Sequence, residues 1–193
     1  RLAHPLRAPY PPRPPRPVPH RATVERRDLM PRSALFDVAS LDLDHVVADI
    51  EAIREHNPQR YEFEQLSWIC HMDVEAGDVA GVLEIPEDVW WGRGHCPGRP
   101  LMPGVLMLEC AAQLCSWFVH QVYDSSQKAG RIFGFGGIDD VKYRGIILPP
   151  ARLVVIGKRV EVRPRRAVFD TQGYLADDLS RMVFEARITG MWV

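Results

Sequence analysis

The stretch GHCPGRPLMPGVLMLECAAQ, Gly94 to Gln113, decides how the rest of the chain is read. It sets one histidine, His95, ahead of a tight Pro97-Gly98 turn. It then places one glutamate, Glu109, among Val105, Leu106, Met107, Leu108, Cys110 and Ala111. Carboxylates seldom leave water without a partner or a task, so Glu109 calls for an explanation. From Met102 to about Val122 the run is apolar almost all the way round, with Pro103 suited to a first helical turn. A helix that is hydrophobic on every side is a buried one.

Working outward, the segments on either side alternate rather than follow a helical period. In QLSWICHMDV, Leu66, Trp68, Cys70, Met72 and Val74 alternate with Ser67, His71 and Asp73, which predicts a strand with one buried face. Ala76-Gly77-Asp78 is a turn, and VAGVLEIP returns as the second arm of a hairpin. Beyond the helix, four strand-like runs cover 131–148, 152–162, 166–176 and 181–192, parted by Pro149-Pro150, Arg163-Pro164 and Asp177-Asp178. Earlier in the chain, LDHVVADIEAIREHNP (43–58) spaces Val46, Val47, Ile50 and Ile53 as a helical stripe that stops at a proline. The outline is an α+β domain in which an antiparallel sheet wraps one long central helix.

Composition narrows the class. A chain of 193 residues, 46% apolar and 25% charged, suits one globular domain with an appendage. Residues 1–32 are read as an extended or disordered tail and 33–193 as the folded domain. The first twenty residues hold eight prolines, which excludes helix and sheet there. The first thirty-two hold eight arginines against only Glu25 and Asp28. No apolar run is expected to reach the ~20 residues that span a bilayer. Cys70, Cys96, Cys110 and Cys115 form no paired framework, fit a reducing cytoplasm and read as small core residues. His45, His56, His71 and His120 have no spaced partners, so no metal site is expected.

The chemistry converges on three residues. Near neutral pH an imidazole is the side chain best suited to remove a proton, so His95 is the candidate base. Burial raises a carboxyl pKa, which makes Glu109 the candidate acid. Gly104, at the helix start, offers an N–H without an intrahelical partner at the positive end of the helix dipole, and can hold a polarised carbonyl oxygen. These elements suit removal of the proton α to a thioester carbonyl with loss of a β-hydroxyl as water. The plainer alternative makes His95 a loop residue and pairs Glu109 with a neighbour such as Arg99.

GHCPGRPLMPGVLMLECAAQ closely resembles the signature of the β-hydroxyacyl-acyl carrier protein dehydratases of the FabZ type, GHFPGxPxMPGVLxxEAxAQ. IEAIREHNPQRYEF and GGIDDVKYRGIILPP resemble two further segments of that family, so the likeness runs from about Asp49 to Val193. The resemblance implies a hot-dog fold, a dimer joined through its sheets, and active sites shared so that His95 of one chain faces Glu109 of the other. It implies Gly104 as the thioester-binding donor and allows trimers of dimers. The implied substrate is a (3R)-hydroxyacyl group on the phosphopantetheine of acyl carrier protein, with no other cofactor. Relatives that also isomerise the double bond carry aspartate at the acid position, so Glu109 points to the plain dehydratase.

Departures from the family pattern are Cys96 for phenylalanine, Gln59 for histidine, Glu62 and Glu64 in a normally apolar segment, and Pro150-Ala151 at a turn. Cys96 is placed in the tunnel wall, and Arg99, Lys142 and Arg144 on the surface that steers an acidic carrier protein. A hot-dog thioesterase, which activates water instead, is the alternative enzyme. A non-catalytic acyl-thioester-binding protein is the alternative from another class. Neither a nucleic-acid partner nor a membrane span is expected, and the expected location is the cytoplasm.

Overall fold

The computed structural model describes residues 33–123 and 131–193. The proposed tail, 1–32, lies outside them. Six antiparallel strands form one sheet in the order β1-β2-β4-β5-β6-β3. They are β1 (Trp68–Asp73), β2 (Asp78–Ile85), β3 (Phe133–Tyr143), β4 (Ala151–Arg163), β5 (Arg166–Leu175) and β6 (Asp178–Trp192). The expected hairpin is β1-β2, turning at Gly77 with φ +77°. Helix α2 (Gly104–Val122) packs against β2, β3, β4, β5 and β6, so the sheet wraps it as the periodicity predicted.

The main core lies between α2 and the concave face of the sheet. Leu114, Phe118, Leu153, Phe169 and Phe184 are buried there, and the Phe118 and Phe169 rings meet edge to face at 5.5 Å. Burying such side chains at about 25 cal/mol per Å² supplies most of the driving force for this arrangement. By length and a mean hydropathy of 1.2 over its best window, α2 would suffice to cross a membrane, contrary to the expectation for the chain. In this fold 67% of that window is buried inside the protein.

The sheet is also apolar on its other face. Cys70, Ala80, Val82, Val154, Ile156, Tyr174 and Met182 form a second cluster, covered by Leu35, Phe36, Leu41 and Leu43. Neighbouring strand residues point to opposite faces, so Val79 and Val155 enter the first core while Ala80 and Val154 enter the second. Segment 33–43 is strapped down by hydrogen bonds. Gln172 Oε1 accepts from Leu35 N–H (3.0 Å), Gln172 Nε2 donates to Ser33 O (3.2 Å), and Trp68 Nε1 donates to Leu43 O (2.8 Å).

Two expectations need correction. The helix foreseen over 43–58 is only α1, Ile50–Arg54, capped by Asp49 Oδ1 on Ala52 N–H. The preceding residues are extended, because Val47 N–H donates to Ile69 O and Ala48 bridges to Ile69 at the sheet edge. Pairing with an available strand edge outweighed a weak helical stripe. Strand β1 likewise buries both faces. Ile69 enters the main core and Cys70 the second cluster, and an irregularity between Ile69 and His71 lets Met72 also pack on the main core.

Candidate active site

The loop before α2 is shaped by hydrogen bonds to the backbone. Gly94 N–H and His95 N–H both donate to Trp91 O (3.1 and 2.8 Å), and Arg99 N–H donates to Cys96 O (2.9 Å). Cys96 and Gly98 have positive φ, 54° and 82°, on either side of Pro97. A left-handed non-glycine residue costs about 1 kcal/mol or more and persists only where its surroundings enforce it. His95 is half-buried, with Nδ1 3.1 Å from Leu101 O. A carbonyl oxygen only accepts, so the hydrogen belongs on Nδ1 and Nε2 keeps its lone pair. The loop therefore fixes the ring orientation through Nδ1 and leaves Nε2 without a protein partner from that contact.

Glu109 is not buried in the apolar run, as the sequence led us to expect, but half-exposed. It lies on a helical stripe with Val105, which is 70% exposed, and with Ala112 and Ser116, at spacings of four, three and seven residues. This stripe borders a pocket of about 120 Å³ between α2 and the β3-β6 edge of the sheet, walled by Gln59, Glu109, Ala112, Ser116, Phe133 and Phe135. Its partners are amides rather than Arg99. Gln113 Nε2 donates to Glu109 Oε1 at 2.8 Å, and Gln59 Nε2 approaches the same oxygen at 3.4 Å.

Gln113 was quoted in the signature without a role, and its position four residues after Glu109 was the signal available. It is 2% exposed. Its Oε1 accepts from Gln65 N–H (2.9 Å), and its Nε2 also donates to Phe63 O (2.6 Å). An N–H group only donates, so the orientation of this amide is fixed and its NH₂ must face Glu109. Both amides address Oε1, which leaves Oε2 as the oxygen able to carry a proton.

Gly104 opens α2 behind Pro103. A Cβ at this position would lie 2.6 Å from the Tyr143 ring, so that ring lies directly over the helix tip. His95 does not line the pocket that holds Glu109 within one chain. Arg99 is exposed beside the loop and Lys142 half-buried on β3. Arg144 Nη2 bonds Glu185 Oε1 at 2.5 Å with the glutamate buried, so its charge is answered inside the fold.

Burial pushes the Cys110 and Cys115 thiols well above their ordinary range and Cys70 up to about 11, so these three are core residues as expected. Cys96 is exposed instead. His56 and His120, far apart in sequence, stack at 5.5 Å. Among the described residues no three potential metal ligands gather.

Several solved structures share this architecture. The dehydratase heterocomplex ApeI:P from Xenorhabdus doucetiae is similar with a TM-score of 0.60 at 11% identity, covering 73% of this chain and 90% of its own. A thioesterase, PA1618, from Pseudomonas aeruginosa matches with a TM-score of 0.55 at 13% identity, over 76% of this chain and 95% of that one. Cj0977, a sigma28-regulated virulence protein from Campylobacter jejuni, matches with 0.55 at 10%, over 79% and 96%. Likeness at such identities establishes the hot-dog fold alone. The model of the FabA-like domain matches residues 57–186, a span that holds the His95 loop, Gly104 and Glu109. The chain belongs to the FabA-like domain family.

Proposed function

We propose that this protein dehydrates (3R)-hydroxyacyl groups carried by acyl carrier protein to trans-2-enoyl thioesters, as FabZ-type enzymes do, in fatty-acid or related acyl-chain synthesis. The observation that carries the proposal is the orientation of Glu109 beside the pocket, with its Oε1 held by Gln113 and Gln59 while Oε2 takes neither amide. His95 Nε2 takes the α proton, and the C–H electron pair becomes the C2=C3 bond. Gly104 N–H at the helix tip stabilises the enolate-like thioester oxygen as that charge develops. Glu109 gives its proton to the departing β-hydroxyl, which leaves as water. The relay moves protons and no net electrons, so phosphopantetheine on the carrier is the only prosthetic group it uses.

The two chemical groups come together across a dimer. Strand β3 ends the sheet, and its Phe135, Ile138, Val141 and Tyr143 are exposed along that edge. A long apolar edge of this kind favours pairing with a second copy, which would set His95 of one chain against Glu109 of its partner.

The test supplies a short 3-hydroxyacyl thioester and follows the absorbance of the conjugated enoyl product alongside free thiol. Enoyl formation without thiol release supports the dehydratase, whereas thiol release without enoyl product identifies a thioesterase. His95→Ala and Glu109→Gln should each slow turnover at least ~100-fold. Mixed dimers of the two variants should recover part of the activity, and no recovery in verified mixed dimers would refute the shared site.

A further inference from the structure

A second concavity lies away from Glu109. Residues 61–65 and 83–91 enclose a groove of about 160 Å³ whose floor includes Leu83, Val89 and Trp91. Its rim carries Tyr61, 86% exposed, and Trp90, 54% exposed, with the Trp90 and Trp91 rings edge to face at 5.7 Å. Four carboxylates line it (Glu62, Glu64, Glu84 and Asp88), and no lysine or arginine does. Glu64 is bound by Arg54 and Glu84 by Arg152, but Glu62 and Asp88 are exposed and make no ion pair among the described residues. Two polar atoms in the wall are buried without a partner, Trp91 Nε1 and Gln65 Oε1. One is a donor and the other an acceptor.

From these features we infer that the groove binds an arginine-bearing, proline-rich peptide segment presented by another molecule. Exposed aromatic ridges flanking an apolar floor fit the flat rings of a polyproline II ligand, which arrives already extended and loses little entropy on docking. A polyproline II backbone makes no internal hydrogen bonds, so its carbonyls are free to accept from an exposed donor on the rim such as the Tyr61 hydroxyl. Arginine supplies donors for the unpaired carboxylates and a planar face for the tryptophan. The charge match selects the class, because a neutral or acidic peptide would leave Glu62 and Asp88 facing its backbone unpaired. The inference is independent of the proposed dehydration.

The probe is a synthetic peptide with the sequence of residues 4–21, HPLRAPYPPRPPRPVPHR, which has this composition. Titrated calorimetrically into the full chain, it should bind saturably in the micromolar range and at least tenfold more weakly to Trp90→Ala and to Glu62→Gln/Asp88→Asn. Peptides with arginines replaced by glutamine, or prolines by alanine, should each lose at least tenfold. These side chains are exposed, so the variants should keep the wild-type melting temperature. Absence of saturable binding both to the full chain and to a chain begun at Ser33, which lacks the identical segment, or binding that both variants leave unchanged, overturns the proposal. Binding that survives proline replacement and vanishes in salt would mean nonspecific charge attraction and would overturn it too.

Discussion

At Gly104 the chemistry of one residue depends on the absence of one carbon. Gly104→Ala would drive a methyl group into the Tyr143 ring, which must swing aside across the helix tip. If this N–H holds the thioester oxygen, the variant should lose turnover far more than stability, measured as kcat against melting temperature. Gln113→Leu should behave differently, since it strips Glu109 Oε1 of its close donor and leaves Gln65 N–H and Phe63 O without a partner. Leaving such buried groups unpaired costs about 1–3 kcal/mol each, so urea midpoints should fall together with activity. The four thiols give a simpler test. Under native conditions a thiol reagent should modify Cys96 alone, and denaturation should release Cys70, Cys110 and Cys115, because burial holds those three protonated. His95, Glu109 and Gly104 could be singled out from the sequence because chemistry restricts which residue types can serve, although within one chain His95 does not line the pocket that holds Glu109. The amides around Glu109 could not be singled out in this way, since Gln59 reaches it from 50 residues away.

The elements were legible where their period was strong. Helix α2 and strands β2 to β6 fall within a few residues of the expected runs, because α2, β2, β4, β5 and β6 bury long apolar stretches and β3 is bounded by turn residues. The reading failed at Val46-Val47, where two branched apolar residues fit a strand edge as well as a helix. It also missed that β2 and β4 are buried on both faces, although the unbroken runs Val79–Leu83 and Leu153–Ile156 carried that signal. Ile156 lies under the strap at 33–43 and Phe169 beside α2. Phe169→Ala should therefore cost about 3–5 kcal/mol by chemical denaturation through the cavity it leaves. Ile156→Ala should cost a comparable 2–5 kcal/mol, although it sits on the side of the sheet away from the helix. A cost below 1 kcal/mol would mean that the strap does not hold in solution.

For the whole molecule the proposed dimer rests on the exposed apolar edge at β3. Phe135→Lys together with Val141→Lys should yield monomers by light scattering and abolish turnover with them, as the proposed shared site requires. Acid should weaken the fold through the ion pair that fastens the chain after α1. The Arg54 guanidinium bonded to Glu64 holds that carboxyl below its ordinary range. A group depressed in this way contributes stability above its unfolded pKa and loses it as pH falls through the folded value. Urea midpoints should therefore drop on acidification below about pH 4, the range of a free glutamate, and Glu64→Gln should reduce the drop.

The strap has a practical consequence for anyone dissecting this chain. The family match opens at residue 57 and closes at 186, but Leu35, Phe36, Leu41 and Leu43 precede it, and Ile188 and Trp192 follow it. A fragment cut at those limits would bare Val82, Val154 and Ile156 to water and lose the last turn of pairing between β6 and its neighbours. Such a truncate should come out of expression as inclusion bodies, while one begun at Ser33 should stay in the supernatant.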